Sequence, residues 1–178
     1  MTCIVGIENN GHVMMAGDIQ GTGYNNKIVH TQSKVFVKKG IAFGYTTSYR
    51  FGQILEHNLG DPVVPDDADD IYRWLITSLI PDIKRALKSA DYEKGGTCLI
   101  GVKNQLWEMQ DDFSVLRSKL GYASCGSGYE YAMGSLFTSV SSGMVMTESA
   151  AAIILKDAIK AAGTFSPSVG TESILVMT

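Results

Sequence analysis

The opening run Met1-Thr2-Cys3-Ile4-Val5-Gly6-Ile7-Glu8, continued by Asn9-Asn10-Gly11 and His12-Val13-Met14-Met15-Ala16-Gly17-Asp18, decides how the rest of the chain reads. Thr2 to Ile7 is rich in β-branched residues and predicts a strand; Asn10-Gly11 predicts a tight turn; His12 to Ala16 predicts the return strand. Such a hairpin folds Asp18 back towards the start of the chain. A loop rich in Gly, Asn and Thr follows, from Gly17 to Asn26. Ser33 to Val37 then predicts a strand, Lys39-Gly40 a turn and Ile41 to Tyr45 a further strand. Lys34 enters a strand expected to be buried on both faces. An unpaired ammonium there would lose its proton or destabilise the fold, so it needs a counter-charge, and Asp18 is the nearest acid able to serve. Cleavage after Met1 would leave Thr2 with a hydroxyl and a free amine on one residue, nucleophile and base together, which suits acyl transfer. Singly, each residue also has a plain structural reading: Thr2 a small second residue, Asp18 a turn residue, Lys34 an exposed strand position.

Working outward, Thr47 or Ser48 can cap a helix with Phe51, Ile54 and Leu55 on one face, ended by Asn58-Leu59-Gly60-Asp61-Pro62. Asp61 to Asp70 reads as an acidic, solvated connector into an amphipathic helix with Ile71, Trp74, Leu75 and Leu79 on its buried stripe. Pro81 should kink or interrupt that helix before Ile83 and Leu87 continue it. After a turn at Glu93-Lys94-Gly95-Gly96, strands are expected at Thr97–Val102, Leu106–Met109, Phe113–Leu116 and Tyr122–Cys125. Tyr129 to Leu136 is helical; Thr147 can cap a long helix carrying Ala151, Leu155, Ala158 and Ala162; and Ile174 to Met177 closes as a strand. Two strand blocks separated by amphipathic helices suggest two stacked sheets covered by helices, although an ordinary α+β fold fits the pattern too.

The chain of 178 residues fits one domain with its own core, 45% hydrophobic and 19% charged. Fifteen basic against eighteen acidic residues, a net charge of −3, point to neither nucleic acid nor an anionic membrane surface. No basic region followed by an apolar run opens the chain, and no apolar run is long enough for a membrane span, so a cytoplasmic protein is expected. Cys3, Cys98 and Cys125 are widely separated in apolar strand-like stretches and read as buried free thiols of a reducing compartment. His12, His30 and His57 are isolated, so no metal site is expected, and the chemistry requires no cofactor. Gly21-Thr22-Gly23 and Gly126-Ser127-Gly128 lack the spacing of nucleotide loops. Asp66-Asp67 and Asp69-Asp70 read as a helix-leading solvated run rather than a cation site.

The stretch Thr2-Cys3-Ile4-Val5-Gly6-Ile7, Asn10-Gly11-His12-Val13, Ala16-Gly17-Asp18 and Lys34-Val35 resembles the N-terminal threonine (Ntn) hydrolases of the proteasome superfamily, and most closely the bacterial HslV-type peptidases. Counted from Thr2, the Asp and Lys fall at that family's separations without a gap. Gly126-Ser127-Gly128 and the helix after it look like the family's Gly-Ser-Gly turn. The resemblance implies an α+β, four-layer αββα sandwich over 1–178 as one domain. It implies threonine-type amide hydrolysis by Thr2 through an acyl-enzyme ester, with Asp18, Lys34 and Ser127 in support. Peptides or unfolded proteins would be the substrate, held by a pocket of Gly21, Gln32, Phe36 and Tyr45, apolar and partly filled. It also implies homo-oligomers, commonly stacked rings served by a partner unfoldase.

Two positions depart from that pattern. Tyr45-Thr46-Thr47-Ser48 puts Thr47 where the family has a glycine whose backbone N–H serves the oxyanion. The aspartate that follows the family's last long helix has no counterpart in Gly163–Ser168, where Thr164, Ser166 and Ser168 are the available hydrogen-bond partners. With Met1 attached, moreover, the nitrogen of Thr2 is an amide and no base. A chain retaining Met1 would be a precursor or a non-catalytic structural relative.

Overall fold

A computed structural model describes residues 1–23, 26–67, 70–141 and 146–178. The opening hairpin is formed by β1 (Cys3–Asn9) and β2 (His12–Asp18), and Asn10 and Gly11 carry φ of 47° and 89°. That paired positive φ is what an Asn-Gly turn supplies cheaply. Two strands from the far end of the chain complete this sheet. β10 (Tyr122–Gly126) adds beside β1 and β11 (Ser173–Met177) beside β2, giving the antiparallel order β10-β1-β2-β11. The second sheet runs in sequence order through β5 (Val35–Lys38), β6 (Ile41–Tyr45), β7 (Cys98–Val102), β8 (Gln105–Met109) and β9 (Val115–Arg117).

The period-2 alternation of side chains divides the interior into three cores. Cys3, Val5 and Ile7 of β1 face the helices α4 (Tyr129–Ser141) and α5 (Glu148–Phe165), with Leu136, Leu155 and Ile159 opposite them. Ile4, Val13 and Met15 point the other way, into a core between the sheets with Val35, Leu99 and Leu106. Ile41, Phe43 and Tyr45 of β6 face α1 (Tyr49–His57), α2 (Ile71–Trp74) and α3 (Ile80–Ser89). The layers are therefore helices, sheet, sheet, helices: a four-layer αββα sandwich. The sheets approach closely because small residues line the seam. A Cβ on Gly44 would collide with Cγ2 of Ile4, so a side chain there would push the sheets apart.

Helix ends follow their local chemistry. Ser48 caps α1 by accepting from the Phe51 amide at 3.1 Å, and Thr147 caps α5 by accepting from Ala150 at 3.1 Å. Pro81 does not interrupt its helix. α2 passes into α3 through a π-helical segment, Leu75–Leu79, in which the Ile80 N–H reaches back to the Leu75 carbonyl. The wider turn comes just before the residue that has no N–H to give, so the mismatch is absorbed upstream rather than as a break.

Three other expectations are corrected. The stretch from Gly17 to Asn26 is no simple loop, because β3 (Gln20–Gly23) pairs with β4 (Asn26–Val29) as a separate two-stranded ribbon. Lys34 sits immediately before β5, which starts at Val35 rather than Ser33. Phe113 lies in a turn with φ 70°, so β9 begins two residues later than its β-prone composition suggests. Asp69 of the acidic connector lies outside the described residues.

Candidate active site

Pairing positions the charged groups. β1 and β2 place Ile4 opposite Gly17, so Asp18 arrives beside the first residues of the chain. Its carboxylate is fully buried and accepts four hydrogen bonds. Oδ1 takes the Lys34 ammonium and the Cys3 amide, both at 2.9 Å; Oδ2 takes the amides of Gln20 at 3.2 Å and Gly170 at 3.1 Å. β1, β3, the residue just before β5 and the segment after α5 thus converge on one side chain. Lys34 is 2% exposed and also donates to the Gln20 carbonyl and, at 3.5 Å, to the Met1 carbonyl. Burial pushes its pKa below the ordinary lysine value, while the charge and hydrogen bond of Asp18 pull it back up. The predicted ion pair is therefore present, with burial and the Asp18 charge acting on Lys34 in opposite directions.

Thr2 is buried at 8% exposure, and its nitrogen donates to Ser127 Oγ at 3.2 Å. Ser127 sits just after the positive-φ Gly126 at the end of β10, where the backbone folds over the Thr2 carbonyl so closely that a Cβ on residue 126 would collide with it. The Ser127 hydroxyl lies 3.2 Å from Ser168 Oγ, which lies 2.9 Å from Ser166 Oγ. Three hydroxyls therefore run in a chain from the Thr2 nitrogen into the protein. Thr164, the other candidate in that segment, bonds the Lys160 carbonyl on an exposed face of its own helix.

Thr47 has φ 72°, a left-handed backbone that a β-branched residue rarely adopts. The Ser48 N–H bonds the Thr46 carbonyl at 2.8 Å across it, and its own hydroxyl accepts from the Thr97 amide at 3.3 Å. The turn thus keeps a glycine-like shape without a glycine. The Thr47 N–H donates to no described group.

A cavity of about 250 Å³ joins these parts, lined by Thr2, Gly21, Lys34, Tyr45 and the turn Thr46–Ser48, together with Met1, Thr22 and Tyr49. Of the residues expected in a substrate pocket, Gly21 and Tyr45 border this cavity. Gln32 borders a neighbouring one of about 280 Å³. Phe36 does not reach either: it stacks on Phe43 at 5.3 Å in the core beneath α1. Tyr49 borders both cavities, its ring 5.0 Å from that of His30, and a side chain on Gly21 would strike the His30 ring. Neither was singled out from sequence, since a tyrosine opening a helix and an isolated histidine carry no local signal.

The three thiols are free and buried. Burial pushes Cys3 up to about 12, and raises Cys98 and Cys125 as well, so none supplies thiolate near neutrality. Among the described residues no group of three or more His, Cys, Asp or Glu side chains could hold a metal, and no helix is long and apolar enough to cross a membrane.

No family model and no curated protein sequence matches this chain. Solved structures do. Thiobacillus denitrificans BPH, in complex with epoxomicin, superposes with a TM-score of 0.81 at 18% identity, covering 99% of this chain and 98% of that one. Eukaryotic HslV from Trypanosoma brucei follows at 0.73 and 15%, covering 99% and 98%. The Anbu (Gly-1) mutant from Hyphomicrobium sp. strain MC1 gives 0.72 at 14%, covering 100% of this chain and 81% of that one. At such identities the likeness establishes the fold, shared over nearly the whole length.

Proposed function

We propose that this chain, which has the fold of the proteasome-type Ntn hydrolases, is a threonine peptidase whose nucleophile is Thr2 once Met1 has been removed. The observation that carries the reading is the convergence on one cavity of Thr2, a buried Lys34–Asp18 pair at 2.9 Å and a hydroxyl on the Thr2 nitrogen.

The chemistry runs as follows. With Met1 gone, the Thr2 nitrogen becomes an α-amine titrating at about 7.7–8.0, able to take the proton of the Thr2 hydroxyl near neutral pH. The Lys34 ammonium favours the neutral amine and stabilises the developing alkoxide, while Asp18 keeps Lys34 charged and oriented. Thr2 Oγ1 adds to the scissile carbonyl. The Thr47 N–H, held by the left-handed turn, is the donor available to the oxyanion. Collapse transfers the amine proton to the leaving nitrogen and leaves an ester on Thr2, which water cleaves with the same amine as base. Ser127 orients that amine, and Ser168 and Ser166 orient Ser127. No carboxylate takes part in this relay, so the amine is held by neutral partners.

Peptides or unfolded segments are the proposed substrate; homo-oligomeric rings, a partner unfoldase and a cytoplasmic site of action belong to the same proposal. Intact mass and a small β-lactone test it. A chain lacking Met1 that is acylated on Thr2 and hydrolyses fluorogenic peptides supports the reading, with Thr2→Ala folded but silent. A natural protein that keeps Met1, or a processed one that is neither labelled nor active, would be a non-catalytic structural relative.

A further inference from the structure

The turn that carries the Thr47 N–H is strained. The Ser48 N–H closes back on the Thr46 carbonyl at 2.8 Å across a residue with φ 72°, which is a γ-turn of the rare positive-φ kind, and its central residue is β-branched. Such a conformation persists only where its surroundings hold it. Here the holding groups come from one strap, residues 91–97, which joins α3 to β7.

The strap fastens the turn on both sides. The Thr97 carbonyl accepts from the N–H and the hydroxyl of Thr46, each at 3.0 Å, and the Thr97 N–H donates to the Thr47 hydroxyl at 3.3 Å. Nearer α3, the Tyr92 hydroxyl lies 3.0 Å from Ser48 Oγ, the same oxygen that caps α1 by accepting from the Phe51 amide. The end of α3 aims Tyr92 there. The Asp91 N–H bonds the Lys88 carbonyl, the Tyr92 N–H bonds the Leu87 carbonyl, and Asp91 has φ 53°, the paired bonds of a helix end that reverses into a fixed exit direction. The Tyr92 ring then packs 6.3 Å from the ring of the buried Phe51, and Gly96 runs so close to Phe51 that a Cβ would strike it. Neither Tyr92 nor Thr97 is among the residues that line the Thr2 cavity.

Relaxing residue 47 to negative φ rotates the peptide that carries its N–H, so this donor stays aimed only while residues 46 and 48 are both pinned. An oxyanion donor acts by being in place before charge develops. A glycine at 47 would need no fastening, because it holds positive φ without steric cost.

Resting on the peptidase reading above, we infer that Tyr92 is a positioning residue for hydrolysis: together with the Thr97 backbone it locks the Thr47 turn from outside the cavity, supplying by hydrogen bonds the conformation that a glycine would adopt freely.

The test uses the full chain processed to Thr2, a fluorogenic peptide read as kcat and KM, and the rate of Thr2 labelling by the β-lactone, whose ring opening passes through the same oxyanion. Tyr92→Phe removes one hydroxyl. It should lower kcat and the labelling rate about threefold to tenfold with KM little changed, because the lost interaction serves the transition state rather than ground-state binding. Thr47→Val keeps the β-branch, loses the clasp to Thr97, and should lower both rates about tenfold to a hundredfold, approaching the loss of an oxyanion donor. Adding Tyr92→Phe to Thr47→Gly should cost less than about twofold relative to Thr47→Gly alone, since a glycine turn no longer depends on the strap. Circular dichroism checks the fold of each variant. Tyr92→Phe as fast as wild type in both assays overturns the inference, as does an equal loss in the Thr47→Gly background, which marks a packing role, or a raised KM at unchanged kcat, which marks a binding one. In each of those cases labelling and cleavage by the wild-type chain leave the peptidase reading standing. A wild-type chain that is neither labelled nor active removes the two together.

Discussion

Replacing Asp18 by Asn tests the electrostatic centre of the molecule, and the geometry gives both sign and size. Each carboxylate oxygen accepts from two donors, Lys34 and Cys3 on one side, Gln20 and Gly170 on the other. Whichever way the amide is turned, its NH2 faces donors and its oxygen can serve only one pair. Lys34 is left buried without its counter-charge. Removing one partner of a buried pair destabilises by about 3–5 kcal/mol, a large share of the roughly 5–15 kcal/mol of a typical domain. With a urea m-value of about 2–3 kcal/mol per M, the unfolding midpoint should fall by roughly 1–2 M. Lys34→Met is the informative contrast, because Asp18 would keep three backbone donors, at 2.9, 3.2 and 3.1 Å, and its charge stays solvated by the protein. Its loss should be about half as large, although hydrolysis fails in both variants. The pH dependence follows from the lowered folded pKa of Lys34, which starts from 10.5 in the unfolded chain. Between those two values the unfolded state binds more protons, so stability rises with pH in that window. Asp18→Asn removes the interactions that raise the folded pKa, extends the window downwards, and should show its largest deficit near neutral pH, narrowing towards pH ~10. Urea titrations at several pH values, followed by tryptophan fluorescence, measure this. A deficit under about 1 kcal/mol, or Lys34→Met the more damaging change, would refute the reasoning.

Thr47→Gly should relieve the strain of φ 72° and leave stability within about 1 kcal/mol of wild type with hydrolysis retained, because only the backbone N–H is used; loss of activity in the folded variant would assign the role to the hydroxyl. Gly44→Ala should cost about 2 kcal/mol or more in thermal or urea unfolding, since its methyl group overlaps Ile4 in the seam between the sheets. In the processed enzyme, kcat/KM should rise with pH through an apparent pKa at or below about 7.7–8.0 as the Thr2 amine loses its proton. Ser127→Ala should lower the rate about tenfold to a hundredfold without abolishing Thr2 labelling, read by stopped peptide assays against intact mass.

Much of the fold was legible where side-chain periodicity and turn chemistry act locally. Asn10-Gly11 sets the hairpin, Ser48 and Thr147 cap their helices, and the alternation in β1 and β6 already divides residues between two faces. The β3–β4 ribbon was not legible, because Gln20–Gly23 lacks an apolar alternation and Asn26–Val29 is exposed along its whole length, so no burial pattern is written into either strand. Phe36 was misplaced for a related reason: a phenylalanine near a buried lysine reads the same whether it lines a cavity or fills a core, and the pleat turned it towards Phe43.

By itself, the sequence determined the strand–turn–strand start, the helix caps and the separation of Thr2, Asp18 and Lys34 along the chain, since these depend on near neighbours; two stacked sheets under helices was only one of the arrangements its pattern fitted. Only the tertiary structure decided what surrounds them. Gly170, Ser127 and Ser168 reach the site from more than a hundred residues away through the pairing of β10 and β11 with β1 and β2. Tyr49 borders the cavity because the turn Thr46–Ser48 carries the chain from the end of β6 straight into α1. Such contacts are fixed by how sheets and helices pack, and no local run of residues records that packing.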